Sequence, residues 1–293
     1  MSLPPDALPP GLLWFSTALW VLSSGVSAQP VSDPPAARPT PGQEPITPIP
    51  LPPPAEPLKL ALDARLFGDH RLSHNGSIAC SSCHDLHTNG ADDENRTVGR
   101  NGSKLPFTVL SVFNAALAFR LDWEGKFRTL EEQAKSSLEN PAIMATSVDE
   151  VLEKLNADAE TVGQLKVAYG HRPDQASLLG AIAIYERPLL TPGSRFDLWL
   201  QGKTSALCAT EQNGYALFKS LGCVSCHQGV NVASNLYERH GIFHPLASPN
   251  PVLLRVPSLR NVAVMAPYFH DGSSPRWMTR YARWRLPSSI RLC

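Results

Sequence analysis

Apolar and polar positions divide the chain into segments of different character. From Leu58, "LKLALDARLFGD" spaces its apolar residues three and four apart, as an amphipathic helix does. "LEEQAKSSLEN" keeps a helical pattern until Pro141, which ends it. "SVDEVLEKLNADAETVGQL" reads as one helix, with Ser147 as its cap and Glu150 in capping-box position. "DQASLLGAIAIYERPLL" is helical up to Pro188, and "EQNGYALFKSLG" adds a last helix that runs towards Cys223. Alternating strand patterns are scarce. The expectation is a mostly α protein with few or no strands.

The N-terminal stretch has a different pattern. "GLLWFSTALWVLSSGV" is an apolar run followed by the small residues "VSA", so residues 1–28 read as a removable signal peptide. A membrane anchor is the rival reading, but Ser and Gly interrupt the run and it is short for a span. No stable membrane span is expected after processing. Residues 29–57, with "PPAARPTPGQEPITPIPLPPP", read as an extended, solvated, proline-rich linker. The folded body is expected from Leu58.

Charge and cysteine content narrow the chemistry. Lys and Arg number 26, Asp and Glu number 26, and no long-range field favours a nucleic acid partner. Four of the six cysteines fall in "CSSCH", residues 80–84, and "CVSCH", residues 223–227. Residues three and four apart on a helical turn share a face, so each pair of thiols and its histidine can address one object. Zinc would need two knuckles 143 residues apart, an unusual structural site. A thioredoxin-like pair needs a βαβ setting, which the pattern lacks. Covalent c-type haem needs two thiols for the vinyl groups and an adjacent histidine for the iron. Two such motifs in one exported chain favour two covalent haem c groups. Cys80, Cys83, Cys223 and Cys226 would attach them, and His84 and His227 would be the proximal ligands. Cys208 and Cys293 remain, read as a small buried hydrophobe and a tail thiol.

Around these motifs the chain resembles the bacterial di-haem cytochrome c peroxidase family, which includes the MauG-like enzymes. The matching stretches are "RLFGDHRLSHNGSIACSSCHDL", "VFNAALAFRLDWEGKFRTLEEQA", "TPGSRFDLWLQG", "GYALFKSLGCVSCHQG" and "VPSLRNVAVMAPYFHDGS", in family order. The resemblance implies two cytochrome c-like haem domains, expected at 58–204 and 205–293, the second atypical after residue 273. It also implies hydrogen peroxide as substrate at the N-terminal haem. Electrons would come from a small cytochrome c or cupredoxin through the C-terminal haem. A periplasmic location follows from export, and a homodimer is carried as an expectation.

Carried over by position, Trp123 falls on the family's tryptophan between the haems, and Gln133 on the glutamine of the peroxide pocket. His270 and Arg260 match residues near the second haem, Arg260 as a propionate partner. Other positions depart from the family. Ile143 stands where the catalytic glutamate is usual, and Glu139 is the nearest acid. Arg100 stands near the histidine that blocks the peroxidatic iron, so a five-coordinate resting iron is expected there, with exposed His87 a weak rival. The methionine expected after "FHDG" is replaced by Trp284, which leaves Met265 and Met278 as substitute ligands. Five arginines crowd the last 18 residues, a composition consistent with an altered frame or a truncated gene. Thr108 replaces an asparagine that helps hold calcium, and calcium is left open. Three alternatives therefore stay beside the peroxidase: a pure electron carrier, a MauG-like oxidase of a protein side chain, and a decayed copy.

Overall fold

The computed structural model describes residues 42–92, 99, 102, 104–239 and 253–276. The expected leader, Arg100, Met278, Trp284 and Cys293 lie outside the described residues. Seven α-helices carry the described fold: α1 Pro57–Phe67, α2 Leu130–Glu139, α3 Val148–Asn156, α4 Ala159–Tyr169, α5 Gln175–Glu186, α6 Arg195–Leu200 and α7 Ala209–Ser220. Two strands, β1 Tyr237–Arg239 and β2 Leu253–Arg255, pair antiparallel with Glu238 opposite Leu254. The chain is mostly helical, as expected. No described helix is long and apolar enough to cross a membrane.

Local chemistry sets the helix ends. The Thr129 hydroxyl accepts the Glu132 amide at the start of α2, and Ser147 accepts that of Glu150 at the start of α3. Glu150 does not complete the expected capping box, because its carboxylate pairs with Lys154 and His74. The single helix expected from Ser147 onward is two helices. Asp158 breaks it by capping Glu160 at 3.1 Å and holding Arg71 at 3.0 Å. α5 opens on a reciprocal Asp174–Ser177 box and ends two residues before Pro188.

α1, α2, α3 and α5 close on one core that includes Leu66, Leu72, Leu138, Val151, Leu155, Leu178 and Ile182, all at most 2% exposed. A second core joins Trp199 and Leu200 of α6 to Leu207, Tyr215 of α7 and Val232. α6 was expected in the first domain, yet it packs in the core of the second centre, so the two halves interleave near residue 204. Cys208, expected as a buried thiol, is disulfide-bonded.

The linker expectation needs the larger correction. Ile46 and Ile49 are 2% and 3% exposed, and Ile46 belongs to the second core. Pro45 O accepts the Gly229 amide at 2.8 Å and Thr47 O accepts Arg260 Nη2 at 2.7 Å. The Glu44 carboxylate takes Tyr215 Oη at 2.9 Å and Lys219 Nζ at 3.0 Å. Proline richness leaves residues 44–50 extended but docked, while residues 51–54 are exposed as expected.

Leu155 is fully buried between α3 and its neighbours. Leu155→Ala should lower unfolding free energy by about 3 kcal/mol in urea titration. Val167→Ala, at a position 78% exposed, should change it by less than about 0.5 kcal/mol.

Candidate functional site

Cys80–Ser82 close a short 3-10 turn in which the Cys83 and His84 amides both donate to the Cys80 carbonyl at 3.1 Å. The chain loops back, and His84 Nδ1 meets the Gly90 carbonyl at 3.1 Å. A carbonyl only accepts, so Nδ1 carries the proton and Nε2 keeps its lone pair. Cys223–Ser225 repeat the turn, the His227 amide donates to Cys223 O at 2.9 Å, and His227 Nδ1 meets Val232 O at 3.3 Å. Burial lowers both imidazole pKa values, which leaves each ring neutral at pH 7. All four thiols beside these rings are free. Burial, with the nearby Glu186 carboxylate, pushes the Cys80 thiol up to about 12.

The two centres are copies of a larger device. Ser111 Oγ donates to Asn89 O at 2.6 Å and accepts the Phe113 amide at 3.1 Å. Ser258 Oγ donates to Asn231 O at 2.7 Å and accepts the Arg260 amide at 3.1 Å. Asn114 and Asn261 both adopt left-handed backbone, φ 61° and 57°, and each leads into a 3-10 turn. Asn89 and Asn231 each directly precede the carbonyl that holds a histidine, and their side chains cross over. Asn89 Nδ2 donates to Val264 O at 3.1 Å, and Asn231 Nδ2 donates to Asn114 O at 3.2 Å. Each centre is thus tied to the loop of the other half.

Trp123 lies half-buried between these loops. Its Nε1–H donates to Thr108 O at 2.8 Å, and its ring packs on His270 with centroids 4.5 Å apart. His270 Nε2 is within 2.9 Å of the Arg255 carbonyl, a group that only accepts, so that nitrogen carries a proton in this contact. Gln133 is half-buried on α2, with Nε2 donating to Ser137 Oγ at 3.0 Å. Ile143 packs against the first core together with Cys80. Glu139, the nearest acid in sequence, points to Lys135 at 3.8 Å on the surface and does not replace the missing glutamate. Met265 is absent from the walls of the cavity beside His227, and its neighbour Val264 is held by Asn89 of the first centre. His87 is exposed.

Arg260 lines the cavity, but its guanidinium is committed to the protein. Nη1 pairs with fully buried Asp197 at 2.8 Å and Nε donates to Val230 O at 2.8 Å. Nη2 donates to Thr47 O, so Arg260 has a structural role here, and one N–H on each Nη is left beyond these three bonds. Sequence reasoning missed Asp197; its signal was the "SRFD" capping box that places it at the third position of α6.

The residues present suit a flat apolar macrocycle. A cavity of about 380 Å³ opens beside the second centre, lined by Ile46, Ile49, Tyr215, Phe218, Val232 and Leu259 among others. Phe218 lies 6.3 Å from the His227 ring, centroid to centroid. Cys223, Cys226 and His227 do not themselves line this cavity; Phe218 and Val232 connect it to the His227 ring, and the two thiols with the bare Nε2 would supply the donor set for haem. Among the described residues no three His, Cys, Asp or Glu side chains converge as a metal cluster, so the paired zinc knuckles find no common site.

The family model for di-haem cytochrome c peroxidase matches residues 57–205. The chain belongs to that family. The cytochrome c551 peroxidase of Nitrosomonas europaea is 36% identical over 249 residues, covering 79% of this chain and 74% of the relative. The cytochrome c peroxidase of Escherichia coli is 35% identical and covers 79% and 54%. MauG of Methylorubrum extorquens is 31% identical and covers 75% and 66%. Among solved structures, a MauG-like protein associated with microbial copper homeostasis superposes with TM-score 0.69 at 29% identity, covering 78% of this chain and 77% of that one. The di-haem peroxidase BthA of Burkholderia thailandensis shares the fold, TM-score 0.65 at 22% identity. Membership implies two haem groups and a peroxidase-like enzyme.

One buried acid of this family member escaped the sequence reading. Glu186, at the end of α5, is 7% exposed, and burial together with Glu131 raises its carboxyl pKa to about 7. The folded value lies above the ordinary 4.5, so the native chain holds a proton that the unfolded chain has lost. Stability should therefore be highest below pH 4.5 for this group and fall as pH rises through about 7. At 1.36 kcal/mol per unit the full loss is at most roughly 3 kcal/mol. Thermal melts between pH 4.5 and 8 should show Tm falling, and Glu186→Gln should flatten that slope.

Proposed function

We propose that this protein is an exported, periplasmic oxidoreductase with two covalently attached haem c groups, which reduces hydrogen peroxide to water using electrons from a small redox protein. The observation that carries the reading is the repeated centre: a thiol pair and a neutral histidine whose Nδ1 is held by a carbonyl, leaving Nε2 to an iron. Cys80, Cys83 and His84 would hold one haem, and Cys223, Cys226 and His227 the other. When bound, haem supplies an iron site for the oxygen–oxygen bond and stores the oxidising equivalents.

The protein's own residues define the rest. Gln133 offers an amide on the first-centre side, held by Ser137, to orient a polar substrate. Trp123 donates its only N–H to a neutral carbonyl, Thr108 O, so no base stands there to take the proton when the ring passes an electron. A bridging role for Trp123 therefore moves charge without moving a proton. With Ile143 packed in the core and Glu139 turned to Lys135, the loop that follows α2 supplies no acid or base. Proton movement at peroxide must then run through water or another group, and turnover should be slow for the family.

That same observation favours a second reading, an electron carrier without peroxidase activity. Steady-state turnover of hydrogen peroxide with a reduced small cytochrome separates the two. The peroxidase reading expects a rate above that of free haem, reduced at least tenfold by Gln133→Ala and raised at least tenfold by Ile143→Glu. A rate no faster than free haem, unchanged by both substitutions, leaves only the carrier.

A further inference from the structure

The segment that precedes the first helix reaches across the molecule to the second centre. Its attachments bracket the cavity on both sides. Glu44 is tied to Tyr215 and Lys219 on α7, and Pro45 O to the Gly229 amide two residues past His227. Beyond them, the Ile49 amide donates to Asp197 Oδ1 at 3.2 Å. Asp197 is fully buried and also holds Arg260, whose Nη2 returns to Thr47 O of the same segment. A buried ion pair is thus used to latch an extended strap.

Between these anchors Ile46 and Ile49 turn inward. In an extended proline-type chain, with three residues per turn, positions 46 and 49 share a face. Thr47 and Pro50 are exposed while the two isoleucines are buried. Both line the cavity of about 380 Å³, with Phe218, whose ring centroid is 6.3 Å from that of His227, and Val232, whose carbonyl meets His227 Nδ1.

We propose that Ile46 and Ile49 form one wall of the second haem's pocket, which makes residues 44–50 a cofactor-binding strap. The inference rests on haem attachment at Cys223 and Cys226. Its physical consequence is local. An apolar wall keeps water from the macrocycle, and solvent exposure is one of the protein's levers on haem potential.

The test compares the mature holoprotein with Ile46→Asn/Ile49→Asn by spectroelectrochemistry, after intact mass has counted the haems in each sample. With two haems on both proteins, the second haem's potential should fall by about a factor of ten in its equilibrium constant, 59 mV for one electron. The first haem should stay within a third of that shift. Equal shifts at both haems, or none, overturn the proposal. If the double variant does not accumulate, the exposed stretch 51–54 provides another route. A protease site placed there is cut in the folded holoprotein, and loss of the strap peptide is confirmed by mass. Release with no change at the second haem overturns the proposal equally. A wild-type mass lacking the second haem instead refutes the attachment on which the inference rests.

Discussion

One hydrogen bond, from imidazole Nδ1 to a main-chain carbonyl, decides what each centre can do. Its net worth to stability is only about 1 kcal/mol. Its consequence is larger, because it puts the proton on Nδ1 and leaves Nε2 bare beside two thiols. The carbonyls themselves are held in place. Gly90 O also accepts the Val112 amide at 3.0 Å, and Val232 follows Asn231, whose side chain is bound to Asn114 O. Residues 108–114 therefore serve both histidines, and through Thr108 they also fix Trp123.

This arrangement explains why the halves interlock. Asn89 and Asn231 each reach into the opposite loop, and α6 joins the core of the second centre although it precedes the expected boundary. Two electron-handling centres need a constant separation, and reciprocal bonds from residues adjacent to the ligand-orienting carbonyls supply it. The strap at residues 44–50 adds a connection from the far N-terminal side. Family membership, the helical fold and the duplicated centre therefore agree.

Much of this was legible in the chain itself. The pentapeptides carry their chemistry in their spacing, and the helix limits at Pro141 and Pro188 follow from the missing amide and ring of proline. Other features were hidden for physical reasons. "EPITPIP" reads as solvated by composition, since its two isoleucines are too few to outweigh the prolines; only the three-residue period of an extended proline chain reveals their common face. The break at Asp158 depended on Arg71, 87 residues away in sequence. Arg260 in "SLRN" reads as a propionate partner, but its ion pair with Asp197, 63 residues distant, could not be foreseen. Long-range partners of this kind leave no local pattern.

Covalent attachment at both centres underlies the proposed chemistry, and acid–acetone extraction of protein exported from a host competent in haem attachment is its most direct test. Haem held only by histidine leaves the denatured chain, and haem joined through thioethers stays. The extracted polypeptide, weighed intact, should retain two haems. A chain stripped to the mass of the bare polypeptide would contradict it.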